Sequence, residues 1–500
     1  MMISKKLLIL VSVLSFNAVS MANEHESDPS LPIPEEQSFV TSHTGKFGGR
    51  KLDYSAEVSN MLLKDSEGGV YASVVTTAYL AKEKQANRPV TFVFNGGPGS
   101  SSVWLHMGMV GPKRVVVPSD AQDAGNAPYQ MVDNEYSILD VTDIVLIDPV
   151  GTGFSKLAGK GTAEDVWGLK EDAKTTATVI REWIRKNKRW NSPKYVLGES
   201  FGTTRSAAML PYLHNREEPI RLNGIIMVSQ ALDFTGSTPW TPHNMLAYVT
   251  YLPSMSATAW YHNKLADRPA SLTEHLEEVR SFAVNEYLPA LFKGSRLPAA
   301  EFNQVASKLA GYLGLDVNYV KRANLRVQAN RFEKQLLREE GLSTGNFDSR
   351  YTTNETDDLA VTTRYDAASA AVSAAYTAAL NDYLHNDLGV SWLQPYIVSS
   401  SEVGDNWVWH RGSHSEPQFV HAASYLAEGM SKNPALKVMV ASGYYDYSTP
   451  FFDAEFTFGR HGIDMSRVTM TYYESGHMMY LHHPSLQKLA EDTRAFYLVK

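Results

Sequence analysis

Apolar and polar positions alternate from about Ser42 to Ala81, as in Leu52-Asp53-Tyr54-Ser55-Ala56-Glu57-Val58. A period of two predicts antiparallel strands at a sheet edge. The texture then changes. Short apolar runs end in turns rich in glycine or proline: "VTFVFNGGPG", "DIVLIDPVGTGFS", "KYVLGES" and "GIIMVSQALD". Amphipathic stretches such as Glu171 to Lys186 lie between them. Buried strands alternating with helices predict an α/β chain whose mostly parallel sheet is covered on both faces.

Around Phe234 the period becomes helical, and it stays so to about Leu388. Ser271-Leu272-Thr273-Glu274 has the spacing of a capping box, followed by a stripe at Leu272, Leu276, Val279 and Ala283. A second stripe runs through Phe302, Val305, Leu309 and Leu313, with Gly314 as its stop. Strand texture resumes at "LKVMVASGYYD" and "VTMTYYESGHMMY". The helical part therefore reads as a cap inserted into a sheet domain. The expected divisions are a core over 38–235, a cap over 236–390 and a second core part over 391–500.

The amino terminus changes the picture in one respect. Lys5 and Lys6 precede the apolar run Leu7 to Phe16, and small residues stand at Ser20 and Ala22. This is the layout of a signal peptide over residues 1–22, with a mobile leader over 23–37, and it predicts an exported, periplasmic or secreted protein. The apolar run is too short to span a bilayer, so no membrane insertion is expected after cleavage. A net charge of −8 offers no basic face for nucleic acid, and the absence of cysteine excludes disulfides and thiol catalysis.

The candidate chemistry begins at "YVLGESFGTT". Gly198-Glu199-Ser200-Phe201-Gly202 follows an apolar strand, and a helix is expected to start near Ser206. Strand, sharp turn and helix are what a nucleophilic serine needs to lift its hydroxyl out of a sheet. Such a serine requires a base, and the base a carboxylate, in the chain order serine, acid, histidine. All but three of the fifteen histidines follow Ser200, so order alone does not choose. His477 in "YYESGHMMY" and Asp446 in "VMVASGYYDYSTP" each lie just past a buried strand, at the edge where parallel sheets gather functional groups. Asp453, Asp464 and His461 are placed less well, and the adjacent His482 and His483 cannot face one metal from a regular element. No metal or other cofactor is implied. "FNGGPGSSS", after the strand Val90 to Phe94, offers backbone N–H groups for an oxyanion, joined by the N–H of Phe201.

With these motifs in view the chain resembles a serine carboxypeptidase. The landmarks are Asn95-Gly96-Gly97-Pro98-Gly99, "DPVGTGFS", Gly198-Glu199-Ser200-Phe201-Gly202 and Gly476-His477-Met478. The resemblance implies an α/β-hydrolase fold with a helical cap, acting on peptides with a free C-terminus. It gives Ser200 the role of nucleophile, His477 that of base and Asp446 that of orienting acid. Gly97 and Phe201 would form the oxyanion hole, and Asn95, Gly96 and Glu199 would bind the substrate carboxylate. The sequence departs from the better-known members at Val93 and Met109, where a tryptophan and a glutamate are usual. An esterase or acyltransferase on the same framework is the alternative, and an aminopeptidase-like hydrolase and an inactive binding protein are more distant ones.

Overall fold

The computed structural model describes residues 30–83, 87–238, 243–409, 419–460 and 462–498, so the signal-peptide reading lies outside the described residues. Nine strands make the main path of the central sheet: β1 Ser38–Phe47, β2 Arg50–Lys64, β3 Val70–Ala81, β4 Val90–Phe94, β5 Asp143–Ile147, β6 Lys194–Ser200, β7 Gly224–Gln230, β8 Lys437–Gly443 and β9 Val468–Tyr473. Their spatial order is β1-β2-β3-β5-β4-β6-β7-β8-β9, with the short pair Lys156–Leu157 added beside β3. The first three strands and the junction to β5 are antiparallel, while β5 through β9 run parallel. This is an α/β-hydrolase sheet.

The two sequence periods account for this division. β1 alternates between exposed and half-buried residues, as an edge strand must, and it starts at Ser38, four residues earlier than the alternation suggested. β4, β5 and β7 are buried throughout because both of their faces are covered. Phe92 and Phe94 point into one core with Ile180 and Trp183, while Val93 points into the other with Met107 and Tyr376. Helix α1, Leu169–Lys186, supplies Ile180 and Trp183 from its apolar face, with Glu171 and Asp172 in its first turn and Arg185 and Lys186 in its last. That polarity suits the helix dipole.

Helix α2, Phe201–Ala208, begins immediately after Ser200 instead of at Ser206. The reason is that Ser200 itself is the N-cap, so no turn residues intervene. Between β7 and β8 come α3 Met245–Tyr261, α4 Leu272–Phe282, α5 Ala299–Leu313 and α6 Ala367–Asp382. Ser271 Oγ accepts from the Glu274 N–H at the start of α4, and Gly314 ends α5 in the left-handed conformation at φ 63°. α3, α4 and α5 share a core of their own through Leu252, Val279, Leu309 and Phe332. Helix α7, Phe451–Phe458, and α8, His483–Leu498, complete the fold. Among the described residues no helix is long and apolar enough to cross a membrane.

Candidate active site

Ser200 ends β6 and caps α2 with φ 58° and ψ −130°. A non-glycine residue in this region is strained, and such strain persists only where the surroundings over-determine it. Three surroundings do so here. A Cβ on Gly198 would sit 2.4 Å from the Gly202 carbonyl oxygen. A Cβ on Gly202 would sit 2.8 Å from the carbonyl oxygen of Phe94. Thr203 Oγ1 donates to the Ser200 carbonyl at 2.8 Å and accepts from the Ala231 N–H at 2.7 Å, tying the turn to the end of β7.

The loop after β4 lies against this turn. A Cβ on Gly96 would come within 2.4 Å of the Phe201 nitrogen, so glycine is what lets the two backbones meet. Gly97 has φ 102°, a conformation that favours glycine. Two buried groups hold the loop in place. The Ser102 N–H donates to Asp148 Oδ1 at 2.8 Å, and Arg205 donates to the Asn95 carbonyl at 2.7 Å while pairing with Asp172 at 2.6 Å. Burial pushes the Asp148 carboxyl up to about 6, against hydrogen bonds from Ser102 and Tyr396. Asp148 belongs to "DPVGTGFS", and anchoring the neighbouring loop is the structural use of that motif.

His477 and Asp446 stand beyond the ends of β9 and β8 and meet at 2.8 Å, Nδ1 to Oδ2. Asp446 is fully buried, and it accepts from the N–H groups of Ser448 and Thr449 and from Thr449 Oγ1. Burial disfavours protonating His477, but the adjacent Asp446 carboxylate outweighs it and the imidazole pKa is raised. The ring is fixed from several sides. Its backbone N–H donates to the Phe347 carbonyl at 2.6 Å, Ser229 Oγ donates to its carbonyl at 2.7 Å, and the Phe347 ring stacks on it at 5.0 Å. Ser229 itself has φ 54° and neighbours Gln230, the residue registered with Ser200. Asp348 accepts from the Gly476 N–H at 2.9 Å and is clamped by Arg350.

Glu199 is 3% exposed beside Ser200. Asn95 Nδ2 donates to its Oε1 at 2.8 Å, and Asn95 Oδ1 in turn accepts from the Leu105 N–H at 3.1 Å. Burial, opposed by His477 and by hydrogen bonding from Tyr480 and Asn95, pushes the Glu199 carboxyl up to about 7. At neutral pH it is therefore poised to carry a proton.

The structure thus brings Ser200, Asp446 and His477 to one edge of the sheet, and sets Asn95 against Glu199 and Gly96 against Phe201 on either side of Ser200, with Gly97 next in the same loop. It does not bring His482 and His483 together: His482 Nδ1 bonds Ser485 Oγ at 2.8 Å, and His483 Nε2 faces the Tyr136 hydroxyl at 3.2 Å. Asp453 lies inside α7, and Asp464 caps a short turn before β9. His461 is outside the described residues. Thr203, Arg205, Ser229, Phe347, Asp348 and Thr449 are supports that the sequence reading missed. Thr203 and Thr449 lay within the stretches quoted for Ser200 and Asp446; Arg205, Ser229, Phe347 and Asp348 meet the site through contacts distant in sequence.

The serine carboxypeptidase family model matches residues 77–458 of this chain. The search of curated proteins found no match. Among solved structures the chain is similar to proline iminopeptidase from Mycobacterium smegmatis at 15% identity, covering 92% of this chain and 99% of that one with a TM-score of 0.34. It is also similar to a highly thermostable carboxyl esterase from Bacillus coagulans at 11% identity, covering 88% and 98% with a TM-score of 0.32. A third likeness is to juvenile hormone epoxide hydrolase from the silkworm Bombyx mori, at 13% identity, 89% and 78% coverage and a TM-score of 0.33.

Proposed function

The chain belongs to the serine carboxypeptidase family, and from that premise we propose that it removes single residues from peptides with a free C-terminus through an acyl-enzyme on Ser200. The observation that carries this reading is the buried Asn95–Glu199 pair next to Ser200, with Glu199 pushed up to about 7. A carboxyl that holds its proton can donate to a carboxylate, which an ionised one would repel. No cationic side chain is then needed to read the C-terminus.

In the first half-reaction Ser200 Oγ attacks the scissile carbonyl as His477 Nε2 takes its proton. Asp446 holds the other ring nitrogen and stabilises the imidazolium. The N–H groups of Gly97 and Phe201 meet the oxyanion. The C–N bond then breaks, His477 gives its proton to the departing amine, and the acyl-enzyme remains. Water deprotonated by His477 cleaves the ester and restores Ser200. The layout of residues 1–22 supports export as the setting in which peptides are met.

Mass spectrometry of benzyloxycarbonyl-Phe-Leu and of a simple aryl ester tests the reading. Release of leucine by the wild type, absent for Ser200→Ala, is the expected result. Ester hydrolysis without leucine release would favour the esterase alternative. Loss of an N-terminal residue from unblocked peptides alone would favour an aminopeptidase.

A further inference from the structure

Two buried polar atoms at this site meet only loosely. Glu199 Oε2 and the Tyr480 hydroxyl each make no well-aligned hydrogen bond, although the hydroxyl stands within reach of Glu199 and the Asn95 amide and interacts with both. A buried donor and acceptor that meet so loosely leave room for a further group that both can bond. Tyr480 is 4% exposed and sits in the short turn Met479–Leu481, three residues beyond His477.

The local sequence makes room for that phenol. A Cβ on Gly108 would fall 2.4 Å from one Tyr480 ring carbon and 2.5 Å from another. Gly108 lies in the π-helical stretch His106–Val110, which starts just after Leu105, the residue bonded to Asn95 Oδ1. π-Helical turns often mark functional sites. Its neighbour Met109 is buried and apolar. The phenol of Tyr480 faces Glu199 from another element.

We propose that Tyr480 is a substrate-binding residue whose hydroxyl donates to the free C-terminal carboxylate, alongside Asn95 and protonated Glu199. The inference rests on the carboxypeptidase reading above. Its chemistry differs from that of Glu199 in one way. Burial and the nearby Glu199 hold the phenol well above its ordinary ionisation range, so it is a donor at every working pH, whereas Glu199 donates only while protonated.

The test compares kcat/KM for benzyloxycarbonyl-Phe-Leu with that for its C-terminal amide, in wild type and Tyr480→Phe. The wild type should prefer the acid. In Tyr480→Phe that preference should fall on the order of 10- to 100-fold, mostly through KM, as expected when a hydrogen bond to a charged group is removed. The melting temperature should stay level, because the deleted hydroxyl makes no well-aligned hydrogen bond. A wild type that prefers the acid and a variant that keeps the preference would overturn the role of Tyr480 and leave the carboxypeptidase reading standing. A wild type that cleaves acid and amide alike would overturn both. A second measurement needs no phenylalanine variant. With 3-fluorotyrosine placed at position 480 of Ser200→Ala, the fluorine resonance should move on binding the acid and stay put with the amide; equal movement would overturn the proposal.

Discussion

At the scale of single residues, the Glu199 carboxyl ties stability and catalysis to the same proton. Its pKa rises from 4.5 to about 7 because burial penalises the charged form. The folded state therefore binds the proton more tightly than the unfolded one. Stability is greatest below the unfolded value and is lost as pH rises from about 4.5 through about 7, by on the order of 3 kcal/mol. Glu199→Gln removes that loss. Its urea midpoint should match wild type at pH 4 and exceed it at pH 8; equal midpoints at both would refute the burial argument. The same variant should move the acid limb of kcat/KM to lower pH, since the Glu199 charge helps raise the His477 pKa. It should also lose the alkaline limb set by Glu199, although in wild type the two groups titrate as a pair. The places of Ser200, Glu199 and His477 at or just past strand ends were legible in the sequence because each lies in a short glycine-bearing motif after an apolar run. Tyr480 was not, since a tyrosine three residues past a histidine has no pattern until Gly108 and Glu199 are seen around it.

At the scale of elements, the junction of the β4 loop with the β6–α2 turn is set by glycines more than by side-chain contacts. Gly96→Ala would drive a methyl to 2.4 Å from the Phe201 nitrogen, where backbone cannot yield cheaply. If that nitrogen donates to the oxyanion, kcat should fall on the order of 100- to 1000-fold, the usual effect of one lost donor. A circular dichroism melt distinguishes this from unfolding, and a folded variant with near-wild-type kcat would contradict the placement. Sequence periods read many of the elements well: the edge alternation of β1 and of the first part of β2, the buried runs of β4 to β7, and the stripes of α4 and α5; β3, expected to alternate, is buried continuously from Ala72 to Tyr79 because it lies inside the sheet. They misplaced the start of α2, because only the backbone shows that Ser200 is both the end of a strand and the cap of a helix.

At the scale of the whole molecule, the segment between α5 and α6 reaches back to the histidine loop. The Phe347 carbonyl, the Phe347 ring and the Asp348 carboxylate all hold Gly476 or His477. The helical part is therefore a positioning device for His477. Asp348→Ala would strand the buried Arg350 guanidinium, a loss of about 3–5 kcal/mol in a urea titration, and should lower kcat even where the variant is fully folded. Unchanged kcat in the folded variant would show that the histidine loop holds itself. No local pattern announces this contact, because Asp348 and Gly476 are 128 residues apart. The most direct test of the whole account is the ratio of kcat/KM for benzyloxycarbonyl-Phe-Leu over its C-terminal amide, measured from pH 4 to pH 8. A carboxyl at Glu199 that reads the C-terminus predicts a ratio well above one that declines as pH passes through about 7. A ratio near one at every pH would contradict it.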